Sequence, residues 1–164
     1  MTFMELAKSR YSVRGFSDTP IEEEKLASIL EAGRLAPTAH NNQPQRIYVA
    51  KSADAIAKLR ELSPCTYNSP LILIICYDDK AQAAHFGEMD ATIVCTHMML
   101  EAWDKGVGSC WVGMFNPAEL SKAFDLPENI HPVALLPLGY PAEGVAAGPF
   151  HSSFKPAEET IFEL

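Results

Sequence analysis

Six consecutive apolar residues, Leu71-Ile72-Leu73-Ile74-Ile75-Cys76, constrain the fold of this chain more than any other feature. An unbroken run of this type, without polar alternation, indicates a strand that is covered on both faces. The longest predicted helix follows at about 88–105 and ends at Gly106 as a left-handed cap. Its apolar side chains extend around most of the circumference, so this helix lies centrally in the core or is shared with a partner.

Shorter elements are predicted on either side of these two. Helices are expected over 3–9, from the acidic run 22–24 to about Leu35, after Ser52, and after Asn116-Pro117. Strands are expected over 47–49 and 133–138, and Pro137 in the latter favours an edge or a bulge. Because strands and helices do not alternate in βαβ units, the sequence predicts an α+β fold.

Charge and length limit the classes of partner. The chain has 164 residues, typical of a single domain, and a net charge of −8, which argues against a nucleic-acid-binding surface. Its longest apolar run, residues 70–77, is too short to cross a bilayer, and its start lacks the pattern of a signal peptide. We therefore expect a cytoplasmic protein that binds neither nucleic acid nor membrane.

The cysteines and histidines form no metal-binding pattern. The four cysteines are widely spaced without a Cys-x-x-Cys pair, and the five histidines form no recognisable motif. Buried free thiols are the expected state, and no metal is assigned.

The segment Arg10-Tyr11-Ser12-Val13-Arg14 is a candidate phosphate site. If it is extended, the side chains of Arg10, Ser12 and Arg14 point to the same side. Two guanidinium groups with a hydroxyl between them match the oxygens of a phosphate monoester. Arginines close to an N-terminus are also common as solvated surface residues, so this segment alone leaves both interpretations open.

A second polar segment follows one helix later. Asn41 and Gln43 are again two residues apart, and their carboxamides can both donate and accept hydrogen bonds, as a polyol or a heterocycle edge requires. An Asn- and Pro-rich stretch can equally be an ordinary loop. Together, however, the two segments favour a bound nucleotide-like cofactor.

In order along the chain, four segments resemble those of the flavin-dependent nitroreductase family: Arg10 to Arg14, Ala36 to Pro44, Gly106 to Gly113, and Leu138-Gly139-Tyr140-Pro141. The resemblance spans residues 3 to about 155. It implies one domain over 1–164, with a central, mainly antiparallel sheet flanked by helices and the long helix at a dimer interface. It also implies a homodimer with shared FMN sites, in which the tail (about 148–164) packs on the partner subunit.

The same resemblance implies roles for individual residues. Arg10, Ser12 and Arg14 would hold the FMN phosphate and ribityl chain or the flavin edge, and Lys155 would add a second phosphate charge. Pro37, Thr38 and Ala39 would approach the flavin from the other subunit. The carboxamides of Asn41 and Gln43 would contact the ribityl chain or the ring edge. The segment Trp111, Val112 and Gly113 would pass close to the ring.

The implied activity is electron transfer from NADH or NADPH through FMN to a nitroaromatic, quinone or similar planar acceptor. Donor and acceptor would use one site in turn, which predicts ping-pong kinetics. The flavin carries the chemistry, so no catalytic side chain is assigned. Two alternatives stay open: a flavoprotein of the same fold that uses another electron donor, and a non-catalytic protein that binds a flavin or another small molecule. Because the chain is shorter than typical relatives, we also expect an open site that tolerates varied acceptors.

Overall fold

A computed structural model describes residues 1–164 and shows an α+β protein. Its helices are α1 (Phe3–Ser9), α2 (Glu23–Leu35), α3 (Ala53–Leu62), α4 (Ala84–Asp104) and α5 (Pro117–Ala123). Its strands are β1 (Gln45–Ala50), β2 (Leu71–Asp78), β3 (Gly108–Ser109) and β4 (Ile130–Gly139). Two short 3-10 turns lie at Ala39–Asn41 and Ala157–Glu159. The predicted fold class is therefore confirmed, with the central antiparallel sheet that the resemblance implied.

The four strands form one sheet in the order β1-β2-β4-β3, and each neighbouring pair is antiparallel. Strand β2 lies inside the sheet and is buried from Leu71 to Tyr77, as its unbroken apolar run predicts. Alternate side chains serve two different cores. Leu73 and Ile75 pack with α2 and α4, whereas Ile72 and Ile74 pack on the other face against α3 and α5.

Helix α4 lies across one face of the sheet and is the centre of the larger core. It begins at Ala84 rather than near Glu88, so the predicted start was too late. Its packing on α2 is close, since a Cβ on Gly33 would lie 2.8 Å from the Met98 side chain. Large apolar side chains remain exposed on its outer surface: Phe86, Met89 and Ile93. Helix α4 is thus both central in the core and incompletely covered.

The local signals at element ends are confirmed. Ser52 accepts a hydrogen bond from the Ala55 N–H, Asn116 accepts from the first turn of α5, and Gly106 is left-handed with φ 74°. Pro137 is different, because β4 is an inner strand rather than an edge. Its carbonyl accepts from the Cys110 N–H at 3.3 Å, and the nitrogen of the same residue faces the same side of the strand. The missing N–H of Pro137 therefore lies toward β3, which has only two paired residues.

The segment after Gly148 contains a turn at residues 149–152 and the short 3-10 turn Ala157–Glu159, and it is largely exposed. Its exposed side chains include several large apolar ones: Phe150, Phe154, Ile161, Phe162 and Leu164. None of the helices combines the length and the hydropathy needed to cross a bilayer.

Candidate functional site

The candidate site begins at the arginine arm, residues 10–14, which leaves α1 as an extended segment. Ser12 forms a parallel bridge with Ser109 of β3, and the Val13 N–H donates to the Ser109 carbonyl at 3.0 Å. Val13 is fully buried, so its neighbours in sequence face the opposite way. The arm is therefore held as a short addition to the sheet, with alternate side chains directed outward.

Arg10, Ser12 and Arg14 line one cleft of about 430 Å³, as their spacing in an extended segment predicts. The remaining lining residues are Tyr11, Gly148, Pro149, Phe150 and His151. No carboxylate lines this arginine cleft, although the whole chain carries a net charge of −8. The Nη1 atom of Arg10 is buried without a hydrogen-bond partner. An unpaired, buried cationic donor in an acid-free cleft is suited to an anionic ligand.

A strained turn at residues 67 and 68 contacts the chain just after the arginine arm. Tyr67 and Asn68 both have left-handed backbone angles, φ 54° and 60°, and the Tyr67 carbonyl accepts from the Phe16 N–H at 3.2 Å. The neighbouring Cys65 thiol and burial raise the pKa of Tyr67, and the nearby Arg14 guanidinium opposes this shift. Tyr67 is thus a neighbour of the arginine arm that sequence analysis missed, because no periodic pattern marks a turn contact of this kind.

The C-terminal segment closes one side of the arginine cleft. The Tyr11 hydroxyl donates to the Val145 carbonyl at 3.4 Å, and the Tyr11 ring contacts the rings of Trp103 and His151 edge-on, with centroids 5.1 and 6.2 Å apart. These contacts place residues 148–151 beside the arginines of the same chain. Sequence analysis did not predict His151 as a lining residue, since a lone histidine in a loop carries no signal.

The second candidate segment, the 37–43 loop, has an unusual backbone. His40, Asn41 and Gln43 all have positive φ, between 48° and 55°. Thr38 and Asn41 brace the turn from within, because Gln43 donates its N–H to Thr38 Oγ1 at 3.1 Å and its side-chain amide to Asn41 Oδ1 at 3.3 Å. The carboxamides of Asn41 and Gln43 are exposed at its surface.

Within one chain, the predicted residues are not all brought together. The loop residues Pro37, Thr38, Ala39, Asn41 and Gln43 do not line the arginine cleft. Lys155 does not line it either, and its exposed ammonium lies 3.9 Å from Glu159.

The 111–113 segment follows β3 and is partly exposed. Val112 is buried in a bridge with Leu135, whereas the Trp111 side chain is 40% exposed and is not a core tryptophan. A Cβ on Gly113 would lie 2.9 Å from the Trp111 ring, so glycine permits this close approach.

Possible metal ligands are scattered, and three of the four cysteines are buried. No cluster of three or more His, Cys, Asp or Glu side chains is placed to hold a metal ion. All four cysteines are free thiols, and burial raises the pKa of Cys76 and Cys95 to about 12. Burial also raises the pKa of Cys110, while the positive charge of Arg14 opposes that shift.

The fold and the cleft together define an α+β protein with a cationic site for an anionic ligand. The sequence model of the Nitroreductase family matches residues 7–67 and 62–140, so the chain belongs to that family. A relative from Methanothermobacter thermautotrophicus, assigned as an NADH dehydrogenase/NAD(P)H nitroreductase, is 30% identical over 152 residues, which cover 87% of this chain and 79% of the relative.

Solved structures agree with this assignment. A nitroreductase family protein from Clostridium difficile 630 superposes with a TM-score of 0.90 at 36% identity, covering 99% of this chain and 98% of that one. A protein from Desulfovibrio desulfuricans, assigned as a nitroreductase and solved in complex with FMN, superposes with a TM-score of 0.87 at 26% identity. That similarity covers 98% of this chain and 95% of the other.

Proposed function

We propose that the chain binds FMN, with the phosphate in the arginine cleft, and acts as an NAD(P)H-dependent flavin oxidoreductase. The observation that carries the proposal is the buried, unpartnered Arg10 guanidinium nitrogen in a cleft without acidic residues. Membership of the Nitroreductase family supplies the class of chemistry, with FMN as cofactor and NADH or NADPH as electron donor.

The residues present fit a flavin phosphate. Arg10 and Arg14 supply two cationic forks, and the Ser12 hydroxyl lies between them in sequence on the same face of the arm. Lys155 is proposed as a second phosphate charge, which requires it to leave Glu159. The pairing between them is exposed at the surface, where such pairs contribute little stability.

We propose that the active form is a homodimer with shared sites. In this arrangement Pro37, Thr38 and Ala39 approach the flavin held by the partner, and Asn41 and Gln43 contact the ribityl chain or ring edge. Two uncovered apolar surfaces support the proposal, the outer side of α4 at Met89 and Ile93, and the C-terminal tail with Phe154 and Phe162. Clusters of exposed large apolar side chains are typical of interaction surfaces.

When bound, FMN supplies two-electron hydride chemistry, and this chain's residues hold it in place and leave one face accessible. Trp111, Val112 and Gly113 are proposed to lie along the ring. We propose that donor and acceptor occupy the same flavin face in turn and that no acid–base side chain takes part. An open site would accept both nitroaromatics and quinones. Initial-rate plots are expected to give parallel double-reciprocal lines, and intersecting lines would contradict the shared site.

The test is a visible absorption spectrum of the purified protein, followed by anaerobic addition of NADH and then NADPH. A flavin band that bleaches on addition of either nucleotide supports the proposal and identifies the preferred donor. A flavin band that neither nucleotide bleaches supports a flavoprotein with a different donor. Protein that is colourless and takes up no added FMN would overturn the binding-site assignment.

A further inference from the structure

One buried carboxylate has no part in the site described so far. Asp90 lies on the inner side of α4 and is 3% exposed. Its Oδ1 accepts the Ala39 N–H at 2.9 Å, and its Oδ2 accepts the Gln82 side-chain amide at 3.4 Å. No basic side chain is among its partners. Burial of a carboxyl group is costly unless its oxygens are hydrogen-bonded, so the position of Asp90 calls for a specific explanation.

Asp90 and Gln82 together hold both backbone groups of Ala39. While Asp90 accepts from the Ala39 N–H, the Gln82 amide donates to the Ala39 carbonyl at 3.2 Å. Gln82 is itself buried, with 8% exposure. One peptide position of the 37–43 loop is thus held from two sides by polar groups that belong to α4 and the residues preceding it.

The loop held in this way is one that does not keep its shape unaided. His40, Asn41 and Gln43 each occupy the left-handed region, and all three are non-glycine residues. Each such residue costs free energy and persists only where surrounding contacts determine the conformation. Within the loop, Asn41 and Asn42 donate their N–H groups to the Thr38 and Ala39 carbonyls at 3.0 and 3.1 Å, and two further hydrogen bonds involve exposed side chains. These bonds shape the turn, whereas the contacts of Ala39 with Asp90 and Gln82 attach it to buried groups.

We infer that Asp90 is a positioning residue, which fixes the 37–43 loop in the conformation that contacts FMN. This inference rests on the proposed function, because it assigns the loop a cofactor to receive. Met89 and Ile93, next to Asp90 on the exposed side of α4, belong to the surface proposed to meet the partner. Asp90 therefore connects the loop to the same helix that would set the position of the second subunit.

The test compares variants of the intact protein by two measurements. Asp90→Ala removes both acceptors, whereas Asp90→Asn keeps an oxygen for the Ala39 N–H and loses the second acceptor. Glu101→Ala is the matched control, because it removes another α4 carboxylate that accepts a hydrogen bond, from Ser28 of α2, away from the loop. The measurements are amide hydrogen exchange of Ala39 and Gln43 in the FMN-free protein, and the Kd for FMN from fluorescence quenching.

We expect Asp90→Ala to accelerate Ala39 exchange at least tenfold and to raise the Kd for FMN about tenfold. Asp90→Asn should show smaller increases in the Ala39 exchange rate and in the Kd for FMN than Asp90→Ala does. Glu101→Ala should leave the exchange rate and the Kd within about twofold of the native values. If Asp90→Ala does not fold, Gln82→Ala serves instead, and smaller changes in the same directions are expected because the Asp90 contact remains.

Unchanged exchange in Asp90→Ala, or faster exchange with an unchanged Kd, would overturn the inference. Equal losses in Asp90→Ala and Glu101→Ala would also overturn it, because they would indicate general destabilisation of α4. If the native chain binds no FMN, the proposed function fails, and the exchange measurement still decides whether Asp90 holds the loop.

Discussion

Ser12 pairs with Ser109 in a parallel bridge, so the arginine arm is held against the shortest strand of the sheet. The adjacent Val13 N–H and Ser109 carbonyl form the hydrogen bond of this pairing at 3.0 Å. Val13 is fully buried. A rotation of the arm that moved Ser12 and Arg14 away from the cleft would therefore expose the Val13 side chain. The position of the cationic groups therefore depends on ordinary strand pairing and core packing.

Replacement of Arg10 by alanine should weaken FMN binding about tenfold to a hundredfold. Removal of one partner of a charge-assisted hydrogen bond costs roughly 1.5–3 kcal/mol, which corresponds to this range. Fluorescence titration with FMN measures the effect. Arg34→Ala is the control, because Arg34 is an exposed arginine paired with Glu31 on α2. Native affinity in Arg10→Ala would exclude Arg10 from the phosphate site.

Gly108→Ala should destabilise the protein by about 1–3 kcal/mol, the usual cost of overpacking a filled core. The added Cβ would lie 2.7 Å from Val13 Cγ2 and 3.1 Å from the Gly139 carbonyl oxygen. Val13 is fully buried, and Gly139 is the β4 residue paired with Gly108, so neither neighbour can move freely. Urea unfolding measures the change. Gly148→Ala, with no atom within 4 Å of the added Cβ, should change the free energy of unfolding by less than about 1 kcal/mol.

The sequence predicted the elements more completely than it predicted their contacts. The unbroken run of β2 and the caps at Ser52 and Asn116 are local signals, and they specify local structure. The two-residue spacing of Arg10, Ser12 and Arg14 likewise predicted that their side chains share one side of the arm, because successive side chains of an extended backbone point to opposite sides. These features need no knowledge of distant parts of the chain.

The features that sequence analysis missed are contacts between distant segments. Asp90 and Ala39 are 51 positions apart, and Tyr11 and Val145 are 134 apart. No periodicity joins such pairs. A helix boundary is also decided by tertiary packing, so α4 extends back to Ala84 without any capping side chain that marks its start.

An acidic residue on the outer side of α4 should separate the proposed dimer. Ile93 is 39% exposed and lies one helical turn from the exposed Met89, and a buried carboxylate at an interface is strongly unfavourable. Sedimentation should give twice the 18.0 kDa chain mass for the native protein and a monomer for Ile93→Glu. Val49→Glu, at another exposed aliphatic residue, on β1, should stay dimeric. A native monomer would refute the shared-site proposal.

The stability of the protein should depend on Glu22 at acidic pH. A hydrogen bond from the Tyr140 hydroxyl, aided by Lys25, lowers the pKa of Glu22 from 4.5 to about 2. A lowered folded-state pKa means that the stabilisation is complete above about pH 4.5 and is lost as the pH falls toward 2. The difference in free energy of unfolding between native protein and Glu22→Gln should therefore shrink across this range. Tyr140→Phe removes the largest cause of the pKa shift, so the free energy of unfolding of this variant should also depend less on pH in this range. If the difference in free energy of unfolding between native protein and Glu22→Gln stays constant from pH 6 to pH 2, Glu22 is not responsible.

Only one of the four cysteines should react readily in the folded protein. Cys65 is the one cysteine that is not buried, whereas burial raises the pKa of Cys76 and Cys95 to about 12 and that of Cys110 by a smaller amount. The thiolate is the reactive form, so an aromatic disulfide reagent at pH 8 should modify one thiol rapidly in native protein and four after denaturation. Cys65→Ser should lose the rapid phase and keep the slow one. A rapid phase that persists in Cys65→Ser would show that a second thiol is accessible in the folded protein. Cys110, close to the arginine arm, would then be the next cysteine to test by substitution.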